Sequence, residues 1–297
     1  MSDTSSHPLH LFRINAGSCN GCDVELTVTE AVERFDVATL GCHYADTPEQ
    51  AQIFLITGPL TTRLRQEVLA LYAAAPAPKV TVAVGACGAS CGVFRDSYAV
   101  SGPLEKEITV DLNIPGCPPR PQALLDGIAA AVRLYRQRRG ETLPPLASAS
   151  DVAVPERLRG APRFAAAACV GCRVCAHVCA GGAIRFDDKE EGVALTLWEN
   201  SCTFCGLCAH YCPSGALTLS NDWRRTHPQS QSYQQTVHGE VPQSPCSDCD
   251  ASFTAAPPEL LRRALGGTAA PIEPLRQLCP DCRRRHNLTF ATRGVKR

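Results

Sequence analysis

The chain carries no net charge: 29 lysines and arginines balance 29 aspartates and glutamates over 297 residues. That excludes the basic footprint of a nucleic-acid binder, and no nucleic-acid partner is expected. No run approaches the roughly 18 apolar residues of a membrane span, so membrane association must run through other chains. Met1–Pro8 lacks a basic region, an apolar stretch and a twin arginine, and no targeting leader is expected. Aromatic residues are few, with 9 Phe, 6 Tyr and 2 Trp, so the interior must be built from Ala, Val and Leu. What is abundant is cysteine, 18 residues in all. A disulfide scaffold of that richness suits a much shorter secreted chain. A chain of this length holds two or more domains.

Eight of the cysteines form two near-identical runs, Cys169-x2-Cys172-x2-Cys175-x3-Cys179 and Cys202-x2-Cys205-x2-Cys208-x3-Cys212-Pro213. This spacing wraps three thiolates around one iron–sulfur cube and sends the fourth to a second. Crossed ligation gives one [4Fe–4S] cluster to Cys169, Cys172, Cys175 and Cys212, and another to Cys202, Cys205, Cys208 and Cys179. A disulfide framework fits this spacing poorly. Thiolates that hold iron must stay reduced, which points to the cytoplasm. Each run leads into Gly-Ala and a β-like segment, Gly182–Phe186 and Gly215–Leu219, an internal duplication. The core of such a unit is tiny, so metal binding supplies much of its folding free energy. Ala180 stands where Pro213 stands in the second run, a difference that bears on local rigidity and not on ligation.

Residues 9–138 alternate strand-like and helix-like segments. Leu9–Ile14, Ile53–Thr57 and Lys79–Val84 read as short buried strands. Val24–Phe35 and Arg63–Ala74 carry helical periodicity, and Pro121 opens a terminal helix. The fold class expected is α/β, a doubly wound, mostly parallel sheet. In such sheets ligands gather at the carboxyl ends of strands. There the sequence places Cys19-Asn20-Gly21-Cys22, Gly85-Ala86-Cys87-Gly88 and Pro115-Gly116-Cys117-Pro118-Pro119, all read as Gly- or Pro-punctuated loops. Cys19, Cys22, Cys87 and Cys117 complete a four-thiolate set for a third [4Fe–4S] cluster, with structural zinc as the alternative. Cys42 and Cys91 are left over and read as small buried residues, although Cys91 could be a supernumerary ligand. Glu25 reads equally as a proton relay at an interface and as a solvated acid at a helix start. His43, His177 and His210 lie near cysteines but are not expected to ligate.

From Gly140 to Pro162 the composition turns to Pro, Ala and Ser, as in a linker. Residues 228–245 are Gln/Ser-rich and predicted to be mobile, or extended over a neighbour's surface. Beyond them, Cys246-x2-Cys249 and Cys279-x2-Cys282 are two knuckles that predict a closed tetrahedral site for structural zinc or a mononuclear iron. Pro258–Ala264 between the knuckles reads as a helix. The run Arg283-Arg284-Arg285-His286 reads as solvated surface, or as a contact for an acidic partner. The expected organisation is a cluster domain at 1–140, a linker at 141–163, a two-cluster ferredoxin-like domain at 164–222 and a four-cysteine metal-knuckle tail at 223–297.

Four motifs in order carry a family resemblance over residues 9–135. Ser18-Cys19-Asn20-Gly21-Cys22-Asp23-Val24-Glu25, Thr57-Gly58-Pro59-Leu60-Thr61, Gly85-Ala86-Cys87 and Pro115-Gly116-Cys117-Pro118-Pro119 resemble the small subunit of membrane-bound, energy-converting [NiFe] hydrogenases. The related quinone-site 20 kDa subunit of respiratory complex I shares the pattern, but the spaced Cys19-x2-Cys22 favours the hydrogenase side. The resemblance implies a flavodoxin-like domain in which Cys19, Cys22, Cys87 and Cys117 hold the proximal cluster facing a catalytic large subunit. The second half, with its Cys-Pro-x-Cys tail, resembles the two-cluster ferredoxin subunit of formate hydrogenlyase. Together they imply an electron-transfer subunit relaying electrons through three [4Fe–4S] clusters. The input would be an electron-donor module, a formate dehydrogenase or a ferredoxin. The output would be a [NiFe] large subunit that reduces protons to H2. Integral membrane subunits would hold the complex on the cytoplasmic face of the inner membrane. The chain has no acid–base pair of its own, so the active site would lie on a partner. The alternative is a complex I-like subunit passing electrons to quinone, and a reading from another class is a structural zinc protein.

Overall fold

Ile53–Thr57 and Val80–Val84 are buried at every position, as strands covered on both faces must be. In the computed structural model, which describes residues 7–141, 158–189, 192–264 and 273–293, they lie at the centre of a sheet. Along the chain the first domain runs β1 (Leu9–Asn15), α1 (Gly21–Ala31), β2 (Cys42–Tyr44), β3 (Ile53–Thr57) and β4 (Leu60–Thr61). It continues with α2 (Arg65–Ala74), β5 (Val80–Val84), α3 (Gly85–Ser90), β6 (Val100–Gly102), β7 (Leu112–Ile114) and α4 (Pro121–Arg138). Strands pair in parallel in the order β2-β1-β3-β5-β7, while β4 and β6 form a separate antiparallel ladder.

Both faces of this sheet are covered, and by different helices. Leu26 of α1 and Leu124 and Ile128 of α4 pack with Leu11, Leu55 and Val82. On the opposite face Val68 of α2 and Leu104 pack with Phe54, Ile56 and Ala83. This is the doubly wound, flavodoxin-like arrangement expected, and it brings β1, β5 and β7 to one edge of carboxyl ends. Pro121 opens α4 at its first turn. The first helix departs from expectation: it starts at Gly21 and stops at Ala31. Val32 adopts an extended backbone, and Glu33–Phe35 forms a separate 3-10 turn.

The second domain follows with β8 (Pro162–Phe164), α5 (Val174–His177), β9 (Ile184–Lys189), β10 (Gly192–Trp198), α6 (Leu207–His210) and β11 (Leu217–Leu219). β8 pairs with β11 and β9 with β10, each antiparallel. Its buried cluster holds Ile184, Leu195, Leu197 and Leu217 together with Cys175 and Cys202. Thiols thus make up part of the core itself. Of the linker, residues 142–157 lie outside the described residues.

Of the two readings of the Gln/Ser-rich stretch, mobile or extended over a neighbour's surface, the structure gives the extended one. β12 (His227–Pro228) joins β7 antiparallel as the sixth strand of the first sheet, and β13 (Thr236–Val241) pairs with β10 over six positions. Composition registers the polar side chains but not that backbone groups on both legs find ladder partners, which is what orders a polar segment. The tail then forms β14 (Ser244–Pro245), β15 (Ser252–Phe253), α7 (Pro258–Ala264), α8 (Glu273–Arg276) and α9 (Pro280–Arg293). Among the described residues no helix is long and apolar enough to cross a membrane.

Candidate iron–sulfur and metal sites

Three carboxyl-end segments converge to build the first site. After β1 the chain turns through Gly17 and Ser18, and Asn15 Oδ1 accepts from both of their N–H groups. Ser18 Oγ and Thr57 Oγ1 donate to Asp23, at 2.5 and 3.0 Å, which ties the Cys19–Cys22 turn to the end of β3. Gly58 is where backbone meets backbone in this turn. It has φ +80°, and a Cβ there would lie 2.4 Å from the Ser18 nitrogen. Gly58→Ala is expected to cost more than about 1 kcal/mol, because backbone cannot give way as a side chain can. A lower denaturant midpoint would register the loss, and an unchanged midpoint would refute it.

Cys87 does not sit on a loop, as its glycine-rich surroundings suggested, but on the short helix α3, all of whose residues are buried. Gly85 at φ +84° makes the turn out of β5, after which Ala86 N–H donates to Gly116 O at 2.7 Å. That bond joins the Cys87 and Cys117 segments. A Cβ on Gly85 would lie 2.7 Å from Cys22 Sγ, so the glycine keeps open the space beside a sulfur.

Cys22 lies within electrostatic reach of Cys87, Cys117 and Cys19. Burial first, then these neighbouring thiols and Asp23, push its thiol well above the ordinary range. Burial, with Cys117, Cys19 and Cys91 nearby, pushes Cys87 up to about 12. Cys22, Cys87 and Cys117 resist ionising together unless a cation compensates them, which is the chemistry of a thiolate-held metal centre. The residues fit an iron–sulfur cluster. Cys91 is buried beside Cys87 in a left-handed backbone conformation, and Cys42 is buried at the start of β2, remote from this group. Glu25 is half-buried and lines a cavity of about 260 Å³ with Cys117, Arg120, Arg159 and Phe204.

The two cysteine runs fold as near copies. In the first, Gly171 N–H donates to Cys169 Sγ at 3.4 Å; in the second, Phe204 N–H donates to Cys202 Sγ at 3.4 Å. Gly171 and Phe204 both have positive φ, as do Arg173 and Gly206 two residues later. This left-handed turn aims successive N–H groups at the sulfurs. Phe204 and Arg173 were not foreseeable here, because only glycine announces such a conformation in sequence. Cys169, Cys172, Cys175 and Cys212 line one small cavity. Cys202 lies within electrostatic reach of Cys208, Cys179 and Cys205. Each run therefore places its fourth cysteine with the other run's first three. Burial pushes Cys175 and Cys202 up to about 12.

The sets also abut one another. Cys175 is in reach of Cys208, and Cys117 of Cys205. Among the described residues, only Cys246, Cys249, Cys279 and Cys282 bring their ligand atoms within 4.8 Å of one another. Cys249 and Cys279 sulfurs are 3.8 Å apart, and Cys249 and Cys282 3.5 Å. A tetrahedral ion with metal–sulfur bonds of about 2.3 Å spaces its sulfurs at about 3.8 Å. Cys279 N–H donates to Cys246 Sγ at 3.2 Å, and Arg285 donates to Cys282 Sγ at 2.8 Å. The tail set fits one ion.

The family model of the NADH ubiquinone oxidoreductase 20 Kd subunit matches residues 19–131, and that of the 4Fe-4S dicluster domain matches residues 168–216. The probable membrane-bound hydrogenase subunit mbhJ of Pyrococcus furiosus is 39% identical over 135 residues, covering 45% of this chain and 80% of the relative. Formate hydrogenlyase subunit 7 of Escherichia coli is 40% identical over 129 residues, 43% of this chain and 50% of the relative. An NADH-quinone oxidoreductase subunit of Heliobacterium modesticaldum is 43% identical over 107 residues, 36% of this chain and 61% of the relative. A solved chain of a membrane-bound sulfane sulfur reductase is 31% identical, with a TM-score of 0.40 over 46% of this chain and 74% of that one.

Proposed function

The chain belongs to the family of the NADH ubiquinone oxidoreductase 20 Kd subunit, and from that membership we propose that it is the electron-transfer subunit of a membrane-associated [NiFe] hydrogenase complex of the formate hydrogenlyase type. Its relatives are subunits of oxidoreductase complexes, and a dicluster domain with so many cysteines supports [4Fe–4S] clusters. In this reading Cys19, Cys22, Cys87 and Cys117 hold one cluster. Cys169, Cys172, Cys175 and Cys212 hold a second, and Cys179, Cys202, Cys205 and Cys208 a third. Cys246, Cys249, Cys279 and Cys282 hold a structural zinc or a mononuclear iron. The organisation in this reading is a cluster domain at 1–140, a linker at 141–163, a ferredoxin domain at 164–222 and a third part at 223–297, whose first stretch, 223–241, pairs with both domains and whose remainder holds the metal.

The observation that carries this reading is the continuity of the thiol sets, with Cys175 beside Cys208 and Cys205 beside Cys117. When bound, such clusters supply one-electron storage at potentials from about −700 to +450 mV, set by burial, charge and N–H···S bonds. The chain's own part is to hold that row at fixed spacing and keep its inner sulfurs from water. Cys19 and Cys117 are exposed, whereas Cys22 and Cys87 are buried, so the first set has one open side. That side suits a large subunit carrying the [NiFe] site for H2 evolution. An electron-donor module would engage the ferredoxin domain, and integral membrane subunits would hold the assembly at the cytoplasmic face.

Metal analysis and EPR of the anaerobically purified chain are expected to give about twelve iron atoms and cluster signals of three kinds. A zinc-only chain would end the electron-transfer reading. Co-purification separates hydrogenase from quinone reduction: a partner large subunit without paired Cys-x2-Cys nickel ligands would favour the quinone-site reading.

A further inference from the structure

Residues 223–241 leave the ferredoxin domain after β11, cross to the first domain and come back. On the outward leg His227 and Pro228 pair with Asn113 and Leu112 of β7, and Gln229 N–H donates to Asp111 O at 2.8 Å. The Gln229 side chain accepts from Asn113 Nδ2 at 2.5 Å and donates through Nε2 to Glu105. The other Glu105 oxygen accepts from the Tyr233 hydroxyl at 2.6 Å. On the return leg the Tyr233 ring stacks on Trp198, with centroids 5.4 Å apart and planes at 12°. The Trp198 indole N–H donates to Ser232 O at 2.7 Å, Asn200 Nδ2 donates to Ser232 Oγ at 2.7 Å, and β13 then rejoins β10.

The two domains also meet directly under this segment. Ser201 Oγ donates to Ser90 Oγ at 2.9 Å, and Ser90 Oγ lies 3.1 Å from Asn200 O as donor. Arg95 donates to Ser201 Oγ at 2.6 Å and to Gly181 O at 3.4 Å. Four of the anchors lie close to a thiol in the chain. β7 leads to Cys117, Ser90 shares α3 with Cys87, Trp198–Ser201 precedes Cys202, and Gly181 follows Cys179 by two residues. Domains of one chain move relative to each other unless their interface is well tied. These ties are placed where movement would alter the gap between two thiol sets.

We infer that residues 223–241 are a positioning strap that sets the separation between the Cys19/Cys22/Cys87/Cys117 set and the Cys179/Cys202/Cys205/Cys208 set, with Glu105, Trp198 and Tyr233 as its positioning residues. This rests on the reading of both sets as [4Fe–4S] ligands. Glu105 is the junction, because one carboxylate accepts from both legs of the strap. Without it Gln229 and Tyr233 lose their shared partner, and the two legs are no longer joined through one carboxylate.

The test uses the anaerobically purified full chain and the double variant Glu105→Ala/Tyr233→Phe. Reduced wild-type chain should show magnetic splitting between the two neighbouring clusters in EPR. The double variant should keep its iron and its individual cluster signals, with the splitting diminished. Amide exchange at Glu199, whose N–H donates to Gln235 O of the strap, should rise by at least about tenfold, in line with the loss of two hydrogen bonds. Glu105→Gln, which keeps one acceptor oxygen for Tyr233 but sets an amide N–H2 against Gln229, should fall between the wild type and the double variant in both readouts. Unchanged splitting and exchange in the double variant would overturn the strap. So would loss of iron in that variant, since the segment would then be a folding element. A wild-type chain without iron would instead remove the cluster reading on which the inference rests, and it would show before any variant is made.

Discussion

Cys87→Ala is expected to remove about four of about twelve iron atoms, leave both ferredoxin-type signals in place and abolish electron delivery to any partner. The selectivity follows from where Cys87 sits. It is buried on α3, which follows Gly85 out of β5, and no residue of the ferredoxin domain supplies a thiol to its set. Removing it leaves Cys19, Cys22 and Cys117 on two segments, with the inner wall of the site gone. Cys91 is the complication, because it is buried within electrostatic reach of Cys87. The experiment therefore needs Cys87→Ala beside Cys87→Ala/Cys91→Ala. If the single variant keeps its iron and the double does not, Cys91 has taken over ligation. If both keep all cluster signals, the assignment of the first set is wrong. Because Cys117 adjoins Cys205, the ferredoxin signals serve as an internal reference, losing any interaction with the missing neighbour while keeping their own intensity.

Much of this site was legible because thiolate spacing is dictated by the body it surrounds. The two runs wrap three ligands within seven residues, and the fold had little freedom to contradict them. The sheet was legible for a similar reason. Ile53–Thr57 and Val80–Val84 are short apolar runs bounded by Gly and Pro, and such runs must be covered on both faces. Two features were not legible. Phe204 and Arg173 adopt left-handed conformations that their side chains disfavour, so nothing in the sequence announces them. The strap was hidden because β12 has two residues and no apolar pattern, and its order comes from partners far along the chain, Asn113 and Leu112. Side chains such as Gln229 and Ser232 read as solvated until the surface they bridge is known.

The tail presents the second large effect: chelation of its metal, or Cys282→Ser, is expected to unfold residues 244–264 and 273–286 as a unit while the rest of the chain keeps its iron. The buried cluster there comprises Cys246, Phe253, Leu278, Cys279 and Cys282, so most of its members are the ligands themselves. Burying Phe253 and Leu278 contributes about 1.5–3 kcal/mol each. Ordering a backbone costs about 1–2 kcal/mol per residue, which two apolar side chains cannot offset over a segment of this length. A structural tetrathiolate zinc contributes about 10–16 kcal/mol near neutral pH, which is the missing term. Because thiols must lose protons to bind, affinity should fall with pH, and the tail should become chelator-sensitive on the acid side first. Among the described residues the tail meets the ferredoxin domain where Arg263 donates to Ser214 O at 3.4 Å and where Gly171 lies against Thr254. Limited proteolysis with and without chelator reads the outcome directly. Cleavage confined to residues beyond 244, with iron content otherwise constant, is the expected result. A Cys282→Ser chain that resists protease like the wild type would mean that packing alone holds the tail, and the metal site would have to be given up.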